Sequence, residues 1–173
     1  MPLPSRDDLA KLPPKAIVAY AARCARRAEP VYISAMSDRP DLLEAVDAAI
    51  RQAEQFAEGS VIPQGSSIVD TADAAAYSAY SAGAADAADA AARAAHAAAR
   101  AANAAMDAAH ATSRASHAAA FAASFAAFAA ADVANAAAFM QAASRDFRKL
   151  AELTQSGQDI SISLDPTGPL GPL

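Results

Sequence analysis

A heptad of non-alanine residues set in a background of alanine constrains this chain more than any other feature. From Asp70 to Ala143 there is no proline and one glycine, Gly83, and most residues are alanine. Within it Asp86, Asp89, Arg93, His96, Arg100, Asn103, Asp107, His110, Arg114, His117, Phe121, Ser124 and Phe128 follow one another at alternating steps of three and four. A step averaging about 3.5 residues keeps one line of side chains on one face of an α-helix. The rest of the circumference carries little but methyl groups. Such a helix can bury most of its girth and let neighbours approach closely, leaving one stripe for polar and aromatic chemistry.

One helix from Asp70 through Ser144 would be about 110 Å long at a rise of 1.5 Å per residue, too long for a compact domain of this size. The segment therefore has to fold back on itself. Gly83 is one predicted break. Ala111-Thr112-Ser113 is another, because Thr and Ser side chains compete for backbone hydrogen bonds and cap new helices. Asp132 is predicted to cap a last helix carrying Phe139, Met140, Ala143, Phe147 and Leu150 and ending near Gly157.

Upstream, the signals are equally helical. Ser5 is placed to cap a short helix with Asp7 and Asp8 in its first turn. Pro13-Pro14 ends that helix and opens a second. The second carries Ile17, Tyr20, Ala21, Cys24, Ala28 and Val31 on one face and Arg23, Arg26 and Arg27 on another, and Pro30 kinks or ends it. A third helix follows Ser37-Asp38-Arg39-Pro40, with Leu42, Leu43, Val46, Ile50, Ala53 and Phe56 as its apolar line. Asp41, Glu44, Asp47, Arg51, Glu54 and Glu58 occupy its other face, and Gly59 terminates it. The longest internal loop is predicted at Ser60 to Ser67. The expected architecture is all-α: a compact multi-helix bundle over residues 1–156 with an extended Pro/Gly-rich C-terminal tail over 157–173. The tail alternates Ile160, Ile162 and Leu164 with polar residues before its prolines and glycines.

Composition narrows the function classes. A net charge of −5 lacks the basic excess of a general nucleic-acid binder. Cys24 is the single cysteine, so no internal disulfide is possible, which fits a reducing compartment. The residues Met1-Pro-Leu-Pro-Ser-Arg-Asp-Asp have no apolar signal core, and a cytoplasmic location is expected. Between Arg114 and Asp132 the only ionisable side chain is His117. That length is near the lower limit of a membrane span, but its alanine, serine and histidine make a poor one. The mixed stripe also lacks the flat threonine–alanine face of helical ice-binding proteins.

Candidate chemistry is sparse. Cys24 stands near Arg23, Arg26 and Arg27, which would lower a thiol pKa, yet it falls on an apolar helix face where cysteine packs as a small hydrophobe. His96, His110 and His117 share the stripe. His110 and His117 are about 10.5 Å apart along a helix, too far for one ion, so a metal site would need Asp86, Asp89 or Asp107 from elsewhere. Asp89 and Arg93 form a local i,i+4 pair. Phe121, Phe125 and Phe128 read as core. There is no phosphate-binding glycine loop and no Gly-x-Ser-x-Gly elbow, and no catalytic, cofactor or metal residue is assigned.

Three stretches together resemble the alanine-rich immunity proteins of bacterial polymorphic-toxin systems. They are Ala19-Tyr20-Ala-Ala-Arg23-Cys24-Ala-Arg26-Arg27-Ala-Glu29-Pro30-Val-Tyr32; Asp38-Arg39-Pro40 opening a helix that ends Ala57-Glu58-Gly59; and Ala92-Arg93-Ala-Ala-His96 with Ala109-His110 and Ser116-His117 to Phe121. The resemblance spans about residues 14–150 and departs at Ala28, Glu29 and the tail. It implies an all-α fold and neutralisation of a toxin by a non-enzymatic protein-binding module. A helical adaptor or regulatory subunit of a bacterial conflict system is the alternative, and a metal- or ligand-binding helical protein using the histidine stripe a further one. The expected partner is a protein, a toxin or conflict-system effector, rather than nucleic acid or membrane, bound by a monomer or weak oligomer. Candidate partner-binding residues are Asp41, Glu44, Asp47, Glu54 and Glu58, a preformed acidic face suited to a basic partner, with Arg23, Arg26 and Arg27 as the other candidates.

Overall fold

A computed structural model describes residues 2–61, 68–81, 86–108, 112–132, 136–158 and 170. Among the described residues there are seven α-helices and no strand: α1 (Arg6–Leu9), α2 (Pro14–Ala35), α3 (Pro40–Ala57), α4 (Ile68–Ser81), α5 (Asp86–Ala108), α6 (Thr112–Asp132) and α7 (Ala136–Gln155). The fold is an all-α compact bundle. Ser5 caps α1 as its sequence predicts: its hydroxyl accepts from the Asp8 backbone N–H, and the Asp8 carboxylate accepts from the Ser5 backbone N–H. Pro14 and Pro40 open α2 and α3 at first-turn positions where a missing N–H costs nothing. Beyond α3, Gly59 takes a φ of +106°, a conformation in which a Cβ would be strained.

α5 is the axial helix, packed against α2, α3, α4 and α6. Its alanines at 94, 95, 97, 98, 99, 101, 102, 104 and 105 are buried, and they cover every direction except one. Arg93, His96, Arg100, Asn103 and Asp107, the stripe residues, emerge half-buried along the remaining line. The methyl faces thus let four helices close in on a fifth, where close van der Waals contact supplies what small side chains lack in area.

α2 is buried more completely than an amphipathic reading allows. Every residue from Ala16 to Ala25 is buried, Arg23 included. The helix also continues through Pro30 to Ala35, with the proline exposed to solvent. α7 covers α2 through Tyr20 and Phe147, whose rings meet edge to face at 6.3 Å. The predicted fold-backs at Gly83 and Ala111 lie outside the described residues, but α4 ends before the first and α6 starts just after the second. Asp132 differs from expectation: it is the last residue of α6 rather than the cap of α7, which begins at Ala136. The Ser60–Ser67 loop beyond Val61 and the tail strand at Ile160, Ile162 and Leu164 lie outside the described residues. Leu170 packs against the core.

Candidate functional site

The heptad continues in step across the connection between α5 and α6, so the two halves of the stripe face each other. The Arg93 guanidinium lies over the Phe128 ring at 5.4 Å, and His96 stacks on Phe125 at 5.2 Å. Each step along α5 is matched by an equal step back along α6. The same antiparallel register sets Arg100 across from Phe121 and Asp107 across from Arg114. These four, with Asn103, His117 and Arg6 from α1, line a cleft of about 700 Å³. Alanine makes up most of what flanks the stripe on both helices, with Met106, Ser116 and Phe125 the larger exceptions among the described residues, so few bulky side chains fill the gap between them. His117 packs edge-on to Phe121 at 4.7 Å, and Phe121 lies 6.3 Å from Phe125. Phe121 and Phe128 are 44% and 53% exposed. They are therefore exposed aromatics, Phe121 lining the cleft and Phe128 just beyond it, rather than the core residues their type suggests; of the three, Phe125 is partly buried against the core.

Charge in the cleft is one-sided. Among the described lining residues, Arg6, Arg100 and Arg114 stand against one carboxylate, Asp107. Among the described residues Arg6 reaches the exposed Asp7, at 3.4 Å. Arg100 approaches Asp73 of α4 at 3.8 Å, the limit of an ion pair, and Asp73 is shared with His96 Nδ1 at 3.3 Å.

The arginines of α2 do other work. Arg23 Nε donates to Asp146 Oδ2 at 2.8 Å, and Arg27 Nη1 donates to the same oxygen. Arg23 and Asp146 side chains are 2% and 1% exposed, so this is a buried cation–carboxylate–cation cluster joining α2 to α7. Arg23 Nη2 also donates to the Leu170 carbonyl at 3.4 Å. Arg26 binds three carboxylates: Glu54 through Nε and Nη2 at 3.0 and 2.7 Å, Asp47 at 2.7 Å and Glu29 at 2.8 Å. Its pKa is raised, burial notwithstanding, because all three acids favour the cation. Arg51 adds a second cation to Asp47 at 2.9 Å. Of the candidate partner-binding residues, then, Arg23 is enclosed, Arg26 and Arg27 are engaged within the fold, and Asp47 and Glu54 are half-buried and neutralised in place. Asp41 is exposed and bonds Arg39, and Glu44 and Glu58 are exposed. The α3 face is thereby a weaker negative surface than the count of its acids implies.

Asp146 is the member of this arrangement that sequence reading overlooks. The signal was present: Phe139, Ala143, Asp146, Leu150 and Leu153 fall at steps of four and three, so a carboxylate interrupts an apolar line. Among the described residues no group of three or more His, Cys, Asp or Glu side chains converges as a metal site would, and no helix is long and apolar enough to cross a membrane. His110 lies outside the described residues, as do the side chains of Asp86 and Asp89.

Cys24 is fully enclosed beside Tyr20, and burial pushes its thiol up to about 12 even though Arg27 and Arg23 pull the other way. Alkylation of Cys24 at mildly alkaline pH should therefore track global unfolding; rapid labelling of native protein would contradict the enclosure. The folded pKa lies above the ordinary 9.0. Its contribution to stability is thus present below that value and declines as pH rises toward 12, a slope that Cys24→Ala should flatten in alkaline denaturation.

Set beside protein-family models, curated proteins and solved structures, the chain matches none of them.

Proposed function

We propose that this chain is a non-enzymatic helical protein-binding module that docks its partner on the cleft between α5 and α6. One observation carries the reading: Phe121 and Phe128 stand exposed on a closely packed helix pair, next to the guanidinium groups of Arg93, Arg100 and Arg114. Aromatic and arginine side chains are enriched where protein interfaces concentrate their binding energy. A preformed face held by two packed helices also loses little entropy on binding. The more specific reading is immunity, in which this face covers a toxin and blocks its active surface, as the sequence resemblance implies. An adaptor in a conflict system would use the same face; a toxin gene or a multidomain effector gene beside this one separates the two.

The test is affinity capture from the source cells with two baits, the native chain and the Phe121→Ala, Phe128→Ala double variant. The native bait should retain a discrete protein that the variant loses by at least about tenfold, a range typical of paired interface aromatics. Equal recovery by both baits, with unchanged melting of the variant, would remove the cleft as the docking face.

A further inference from the structure

We infer that the cleft selects its partner by negative charge, taking an acidic segment of a partner protein whose carboxylates lie on Arg100 and Arg114 and whose apolar side chains lie on Phe121. The inference rests on the docking reading above and adds the chemistry of the occupant. In a chain of net charge −5, this cleft gathers three guanidinium groups and one carboxylate. The fold shows what it does with arginines it intends to satisfy. Arg26 has three carboxylates within 3.0 Å and Arg23 and Arg27 share one. Among the described residues Arg100 has the long approach to Asp73, and Arg6 a solvated neighbour. Guanidinium groups are planar donors whose fork matches a carboxylate, and they stack beside aromatic rings without losing that fork. His117 and Asn103 add polar donors between them.

Two other anionic occupants fit less well. Nucleic acid is tracked by basic surface that extends along a backbone, whereas the exposed acids of α3 and the net charge of the chain oppose a polyanion. A small organic anion would use the arginines but, unlike a segment of chain, could not extend from them along α6 to the exposed Phe128.

The experiment titrates the full chain with short capped peptides alternating Leu with Glu, Gln or Lys, with an oligothymidylate and with phenyl phosphate. Side-chain NMR signals of Arg100, Arg114, His117 and Phe121 are the readout. The Glu peptide should move all four and bind at least about tenfold tighter than the Gln or Lys peptide, an advantage that shrinks in high salt. Arg100→Gln with Arg114→Gln should abolish that advantage without changing the melting temperature, and Arg114→Lys should retain part of it. Equal binding of the Gln or Lys peptide at the cleft would overturn charge selection while leaving docking on Phe121 intact. Tighter binding of the oligothymidylate, or binding of phenyl phosphate as tight as that of the Glu peptide, would overturn the acidic segment in favour of those ligands. Absence of any shift with the Glu peptide would overturn it outright.

Discussion

Replacing Asp146 with alanine is expected to remove about 3–5 kcal/mol of folding stability, a large part of what a domain of this size possesses. The carboxylate is 1% exposed and is the shared acceptor of Arg23 and Arg27. Without it two guanidinium groups remain in the interior between α2 and α7 without the carboxylate they share. Removing one partner of a buried pair costs far more than the pair contributes relative to an apolar replacement. A second variant isolates that cause: Asp146→Leu combined with Arg23→Met and Arg27→Met should recover most of the loss, because no charge is then stranded. Chemical denaturation of the three proteins measures both numbers. A loss below about 1 kcal/mol for Asp146→Ala would show a solvated pair of the kind found on surfaces.

The second large effect concerns the alanine face of α5. Ala98 and Ala105 are both fully buried, one heptad apart on the side opposite the stripe's opening. Each leucine introduced there needs room that close-packed helices do not have, at a cost of about 1–3 kcal/mol per site. The positions are about 10.5 Å apart along the helix, so the two costs should add. Thermal melting of Ala98→Leu, Ala105→Leu and the double variant gives the comparison. Unchanged melting of all three would mean that α5 is not enclosed by α2, α3, α4 and α6.

The bundle and the stripe were legible in the chain because both depend on periodicity. Alternating steps of three and four from Arg93 to Phe128 define a line on a helix whatever the neighbours are, and the length of the segment forces a reversal. The terminations near Gly59 and Gly157 were legible for the same local reason, since both glycines take positive φ. What escaped was decided by contacts distant in sequence. Arg23 reads as part of a second, charged face with Arg26 and Arg27, but α2 has no solvated face over residues 16–25. Alanine is small enough for neighbours to close around it on every side. Asp146 escaped for the complementary reason, its partners being 123 and 119 residues away. Asp47 and Glu54 read in the sequence as part of an acidic face, but Arg26, on another helix, binds both. Phe121 and Phe128 read as core by residue type, although their place on the stripe, in line with Arg114 and His117, already set them apart from the buried alanines.

The docking face itself is tested most directly by site-specific photo-crosslinking in the source cells. A photoreactive amino acid is placed in turn at Phe121, at Glu44 on the acidic face of α3, and at Ile33, which is 47% exposed on α2. The account expects one discrete protein adduct from position 121 and none from 44 or 33. An adduct from Glu44 or Ile33 with none from Phe121 would contradict it.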